Sequence, residues 1–147
     1  MTSTAPQIVS ARPRMTAEIM ARTGLDEARL ARLVDGFYAK VRRDPVLGPI
    51  FEARIADWGP HLARMKDFWS SVALMTGRYH GAPVPAHLDL PVDWPEFERW
   101  LALFRETAFE TCPPDGARHL IERAERIARS LNMAIRNANP GQVPSLL

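Results

Sequence analysis

Apolar stripes at helical spacing constrain the fold of this chain more than any other feature of its sequence. The clearest stripe follows Pro114, at intervals of three or four residues: Leu120, Ile121, Ala124, Ile127, Ala128, Leu131 and Ile135. Residues so spaced share one face of an α-helix. Three earlier segments show similar stripes, and no segment alternates apolar and polar residues as a strand does. The sequence therefore predicts an all-α fold in which four principal amphipathic helices bury their apolar faces against one another.

Capping residues and prolines set the limits of these helices. The first is predicted from the N-cap Asp26 to Asp44, because the residue before a proline disfavours helical geometry. A corner or short helical turn over 46–51 precedes the second helix, which is predicted over 57–77 and ends where glycine can terminate it. A capping box over 93–96 opens the third helix, and the fourth follows Pro114. Three prolines and a glycine preclude a long helix over 78–91.

A length of 147 residues suits one domain. Residues 1–24 are predicted to form a partly disordered leader with a short helix from Thr16. Residues 25–138 form the domain, and residues 139–147 form a loose tail. The expected location is cytoplasmic, because the single cysteine, Cys112, excludes an internal disulfide and a cysteine-based zinc or iron–sulfur site.

Charge and hydropathy exclude two classes of partner. The formal net charge of +2 comes from residues 1–24, which contain three arginines and one glutamate, and the remaining residues carry equal numbers of acidic and basic side chains. A nucleic-acid-binding face needs clustered cations, so no nucleic-acid partner is expected. The longest apolar runs fall far short of the roughly 20 residues of a membrane span, so no membrane partner is expected.

Four residues remain as candidates for chemistry after the common motifs are excluded. The chain contains no Gly-x-Gly-x-x-Gly, no phosphate-binding Gly-Lys-Ser/Thr loop and no His-Glu-x-x-His pair. Tyr38, His61 and Trp100 lie on inward stripes, and His87 lies on the proline-rich connector. Each of these residues taken alone is more often a core residue. Together they match what a haem pocket needs: one imidazole for the iron, a flat apolar slot, and a few polar donors on the opposite side. The same combination also describes many helical cores.

The order of several further residues is more specific. In sequence order they are Phe37-Tyr38, Leu47-Gly48-Pro49-Ile50-Phe51, Trp58 with His61, Phe68-Trp69, Gly77, Tyr79, Gly81, Pro83, His87-Leu88-Asp89-Leu90-Pro91, and Trp100-Leu101 with Phe104. By this pattern the chain resembles the group III truncated haemoglobins over roughly residues 30–137. The resemblance implies a two-on-two helical sandwich, a globin-like fold, around haem b.

By that resemblance His87 is the proximal ligand of the iron. Tyr38, His61 and Trp100 correspond to the distal positions around a bound diatomic gas (dioxygen, carbon monoxide or nitric oxide). Three roles stay open for His61: a gate, a third hydrogen-bond donor, or a competing sixth ligand of the iron. Apolar candidates to line the haem slot, which are also core candidates, are Phe37, Phe51, Met65, Phe68 and Phe104. Arg78 and His80 are considered as partners of the haem carboxylates, although a solvated position is preferred for both.

Three functions stay open at this point. The first is reversible binding of dioxygen and other diatomic ligands at a pentacoordinate haem iron. The second is a haem redox enzyme, for nitric oxide dioxygenation or peroxide reduction, which needs an external reductase because these 147 residues contain no reductase domain. The third is a haem-free helical interaction module.

Overall fold

This computed structural model describes residues 12–140, which contain seven α-helices. Their bounds are α1 (Arg12–Thr23), α2 (Glu27–Arg43), α3 (Leu47–Arg54), α4 (Trp58–Leu74), α5 (Pro83–His87), α6 (Trp94–Thr111) and α7 (Pro114–Ala138). No strand occurs within this range, and the prediction of an all-α fold is confirmed. None of the helices in residues 12–140 is long and apolar enough to cross a membrane.

The helices pack as a sandwich of two pairs. Helix α6 lies along α7, helix α2 lies against α4, and the pairs meet where α2 contacts α6 and where α4 contacts α7. The largest fully buried side chains on these four helices include Trp69, Phe37, Phe104, Leu33, Leu74 and Leu120. Burial of each such side chain stabilises the fold by about 1.5–3 kcal/mol. The four predicted apolar stripes therefore form one core.

Helix α2 and helix α6 begin at the predicted caps. The Asp26 carboxylate accepts a hydrogen bond from the backbone N–H of Arg29 at 2.8 Å. At the start of α6, Asp93 and Glu96 form the complete capping box, and the Glu96 side chain accepts from the Asp93 backbone at 2.7 Å. Helix α4 ends earlier than predicted, because Met75 rather than Gly77 takes the first left-handed position, with φ 60°.

Two short segments are longer helices than predicted. The corner or short helical turn predicted over 46–51 is the eight-residue helix α3. The short helix predicted from Thr16 is α1, which begins earlier, at Arg12, buries Ile19 and packs against α4 and α7. The Thr16 hydroxyl donates to the carbonyl of Leu74 at 2.5 Å. The rest of the predicted leader, residues 1–11, and residues 141–147 of the predicted tail lie outside the described residues.

Replacing Gly48 with alanine is expected to destabilise the protein by about 1–3 kcal/mol, because overpacking forces a backbone shift. A Cβ at this buried position lies 2.7 Å from the carbonyl oxygen of Arg42. Urea unfolding measures the change. The matched control is Gly59→Ala, also in a helix, where the nearest atom is a carboxylate oxygen of Asp57 at 3.6 Å. Equal stabilities of the two variants would contradict the steric argument.

The cap residue Asp93 is expected to make stability depend on pH. The hydrogen bond from Arg136 lowers the pKa of Asp93 in the folded state, so its stabilisation is full above the unfolded pKa of about 4 and is lost as the pH falls through the folded value. Asp93→Ala therefore costs about 1 kcal/mol at pH 7. Urea unfolding should show this cost shrinking toward pH 3. Asp93→Asn keeps a capping acceptor and is expected to lose less stability than Asp93→Ala. A cost of Asp93→Ala that does not change with pH would argue against a stabilising role of the Asp93 charge.

Candidate functional site

A cavity of about 590 Å³ lies inside the sandwich. Every helix from α2 to α7 contributes to its wall, and most of the lining side chains are apolar. Its volume falls within the roughly 300–1,000 Å³ of small-molecule and cofactor sites. The cavity brings together Tyr38, His61, His87 and Trp100, which were predicted to share one site.

His87 ends the short helix α5 and lines the cavity. Its Nδ1 atom is hydrogen-bonded to the carbonyl oxygen of Pro83, four residues earlier. A carbonyl oxygen only accepts, so Nδ1 is the donor, and Nε2 is the ring nitrogen left to bind a metal. A hydrogen bond of this kind fixes the orientation of a metal-binding imidazole. The connector thus presents a pre-oriented imidazole to the cavity.

His61 contributes a second imidazole from helix α4. Burial lowers the pKa of His61, and the charges of Arg64 and His87 lower it further. The Nε2 atom of His61 is buried and has no hydrogen-bond partner among residues 12–140. Buried polar atoms are nearly always paired, so this nitrogen marks a place for a polar ligand.

Tyr38 and Trp100 complete the polar part of the wall. The ring of Tyr38 contacts that of His61 with a centroid distance of 5.3 Å. Burial raises the pKa of Tyr38, so its hydroxyl stays protonated, and the structure shows no hydrogen bond from this hydroxyl to any described residue. Trp100 is held by Phe37 and Phe104, with ring centroids at 5.3 and 5.5 Å. Two neutral hydrogen-bond donors are therefore held in an apolar wall.

Comparison with known proteins identifies the family. No family model matches this chain. The chain is 37% identical over 110 residues to the group 3 truncated haemoglobin of Campylobacter jejuni, in an alignment that covers 71% of this chain and 86% of that protein. The chain belongs to the group III truncated haemoglobins. The predicted resemblance is confirmed, and with it the haem-binding role of a globin.

The fold of this truncated haemoglobin agrees with that assignment. It is similar to the crystal structure of the group III truncated haemoglobin from Campylobacter jejuni, with a TM-score of 0.71 and 34% identity. The superposition covers 76% of this chain and 91% of that chain. The predicted globin-like sandwich is therefore confirmed.

The predicted wall residues divide into two groups. Phe51, Met65 and Phe68 line the cavity of the truncated haemoglobin. Phe37 and Phe104 do not, because they lie one layer deeper, fully buried, with a ring centroid distance of 5.4 Å between them. They support the wall through Trp100 rather than forming it.

Two lining cations were missed by sequence reasoning. Arg54 donates to the carbonyl of Ala86 at 3.2 Å and pairs with Asp89 at 3.0 Å. Arg64 also lines the cavity and forms no ion pair within the described part of the chain. Arg64 follows His61 by three residues, which places both on one helical face. This spacing could have predicted that Arg64 lines the same site as His61. Arg78 and His80 are exposed and do not line the cavity, so the solvated position preferred for them is confirmed.

Proposed function

We propose that this truncated haemoglobin holds haem b in the cavity through the Nε2 atom of His87 and reversibly binds dioxygen and other diatomic gases. One observation supports this most strongly. A single apolar cavity contains both an imidazole oriented through its Nδ1 atom and, on another helix, an imidazole whose buried Nε2 has no partner. The first suits an iron ligand, and the second suits a polar gas ligand.

The lining residues fit the chemistry of haem b. Its flat apolar ring matches Phe51, Met65 and Phe68. Its two carboxylates need cations, and Arg64 is a lining cation whose charge is not already neutralised by an ion pair within the described residues. Arg guanidinium groups bind carboxylates with charge-assisted hydrogen bonds. Arg64 is therefore the side chain that we expect to meet a haem carboxylate.

The distal side chains set how long the gas is retained. Haem, when bound, would supply an iron centre for a diatomic gas. The Tyr38 hydroxyl and the Trp100 indole N–H would donate hydrogen bonds to such a ligand. Low dielectric strengthens such hydrogen bonds. Because burial lowers the pKa of His61, its ring is neutral at pH 7 and carries one N–H, which makes it a third donor.

The buried, lone Cys112 suits a reducing compartment, so we place the protein in the cytoplasm.

A strongly retained gas is poorly delivered, so binding or sensing fits this wall better than transport.

Visible absorption spectra of the purified protein test the proposal. Haem-type bands are expected in the ferric and dithionite-reduced forms, with a further shift on addition of carbon monoxide or dioxygen. Shifted bands would show an open sixth position. A colourless protein that takes up no haem would overturn the proposal and favour a haem-free interaction module. Rapid consumption of nitric oxide or peroxide with an added reductant would instead establish a redox enzyme that works with an external reductase.

A further inference from the structure

Trp58 lies behind His61, outside the cavity. It is the first residue of α4, is half-buried and is not a lining residue. Its ring meets that of His61 edge to face, with a centroid distance of 5.5 Å and an angle of 88° between the planes. It also contacts the ring of Tyr38 at 5.9 Å. Trp58 therefore packs against both of these distal residues without lining the cavity.

Two charged residues from other helices hold Trp58 in place. The guanidinium carbon of Arg42, on α2, lies 4.4 Å from the centroid of the Trp58 ring. Glu52, on α3, accepts from Arg42 Nε at 2.9 Å and from Trp58 Nε1 at 3.4 Å. The hydrogen bond from Arg42 lowers the pKa of Glu52, so the carboxylate is ionised at neutral pH. Arg42, Glu52 and Trp58 are called the Trp58 clamp below.

The clamp explains how the His61 ring is held where its Nε2 atom is buried without a hydrogen-bond partner. Its buried Nε2 has no partner, and rotation outward would let water satisfy that nitrogen. An isolated exposed ion pair contributes little to stability. Here, however, the Arg42–Glu52 pair fixes an aromatic ring by a cation–π contact and a hydrogen bond, and that ring packs against the imidazole. The outward rotation of His61 is therefore opposed by side chains from three helices.

We infer that the Trp58 clamp positions His61 inside the cavity and so limits the rate at which small ligands pass between the cavity and solvent. Trp58 does not line the cavity, so it is a positioning residue that acts through His61. The inference rests on the proposed function, since the rates concern a gas that reaches haem.

A double-mutant cycle tests the inference. The rate of carbon monoxide association after flash photolysis is measured for the haem-loaded wild type, Trp58→Ala, His61→Ala and the double variant. Loss of two aromatic contacts is expected to raise the rate about fivefold in Trp58→Ala, with no further rise when Trp58→Ala is added to His61→Ala. A wild-type rate for Trp58→Ala, or the same increase in both backgrounds, would overturn the inference.

Matched variants separate the clamp from general loosening. Trp94 is also half-buried and also begins a helix, but it packs against Phe97 and does not line the cavity. Trp94→Ala is expected to keep the wild-type rate. Trp58→Phe, which keeps an aromatic ring but cannot donate to Glu52, is expected to raise the rate about twofold and serves if the alanine variant does not fold. A fivefold rise in Trp94→Ala would overturn the specific role of Trp58.

The charged part of the clamp has its own control. Arg42→Gln is expected to raise the association rate about twofold, because the cation–π contact is lost. Arg126 pairs with Glu122 at 2.6 Å on the surface of α7, and Arg126→Gln is expected to leave the rate unchanged. Equal rates in Arg42→Gln and the wild type would overturn the role of the guanidinium.

Crystal structures of the wild type and Trp58→Ala give a readout that does not depend on gas binding. His61 is expected to point into the cavity in the wild type and to turn outward, or to take several conformers, in the variant. The same single inward conformer in both would overturn the inference. If the wild type shows no haem spectrum, the proposed function fails, yet this comparison still tests the clamp.

Discussion

Replacing His87 with glycine is expected to weaken haem binding by at least about 100-fold, since removal of a side chain that merely supports a metal ligand already costs 10–100-fold. The imidazole is the proposed iron ligand, and its Nδ1 is hydrogen-bonded to the carbonyl oxygen of Pro83. Haem transfer to an excess of apomyoglobin measures the loss. Added free imidazole should restore the visible spectrum, because glycine leaves space where the side chain was.

The matched control for this experiment is His80→Gly. His80 lies on the same connector, but it is exposed and does not line the cavity. It is expected to retain haem as the wild type does. A normal haem spectrum in His87→Gly without added imidazole would refute the proximal assignment, and haem loss in both variants would show that the connector itself had been disrupted.

Helix limits were predictable where local chemistry determines them. The Asp26 cap and the Asp93–Glu96 capping box depend on side chains within three residues of the helix start, so a sequence pattern is sufficient. The end of α4 was not predicted correctly, because a methionine takes the left-handed position that usually favours glycine.

Helices α1 and α3 show a second limit of local patterns. Short helices are marginal alone and gain stability from the surfaces that they cover. Ile19 on α1 is buried against other helices, and Leu47 on α3 is buried in the core cluster. A helix of 8 or 12 residues with few apolar positions gives a weak periodic signal, so its bounds depend on partners that are distant in the sequence.

The sequence predicted the imidazole, tyrosine and indole residues of the candidate site better than its lining arginines or its apolar wall. The order of Tyr38, His61, His87 and Trp100 was recognisable, and the structure brings all four to one cavity. Phe37 and Tyr38 are neighbours on α2, yet only Tyr38 lines the cavity, because adjacent helical residues point about 100° apart. Helix α2 is buried over a broad face, so its apolar stripe alone does not separate core from cavity wall.

Removing both distal donors, in the double variant Tyr38→Phe/Trp100→Phe, is expected to speed dioxygen dissociation roughly 30-fold, which corresponds to two hydrogen bonds of about 1 kcal/mol each. Each single variant should speed dissociation roughly fivefold. Both changes keep an aromatic ring in the wall, so the packing of Phe37 against each ring is largely preserved. Stopped-flow displacement of dioxygen by carbon monoxide measures the rate.

The comparison with Tyr79→Phe separates the loss of a donor from the loss of any hydroxyl in the wall. Tyr79 also lines the cavity, but its ring packs against Phe68 with a centroid distance of 5.2 Å, so this variant is expected to change the rate less than Tyr38→Phe. Equal effects of the two tyrosine variants would indicate a general change of cavity polarity. An unchanged rate in the double variant would remove Tyr38 and Trp100 as donors, and the buried nitrogen of His61 would then be left as the distal group that retains the gas.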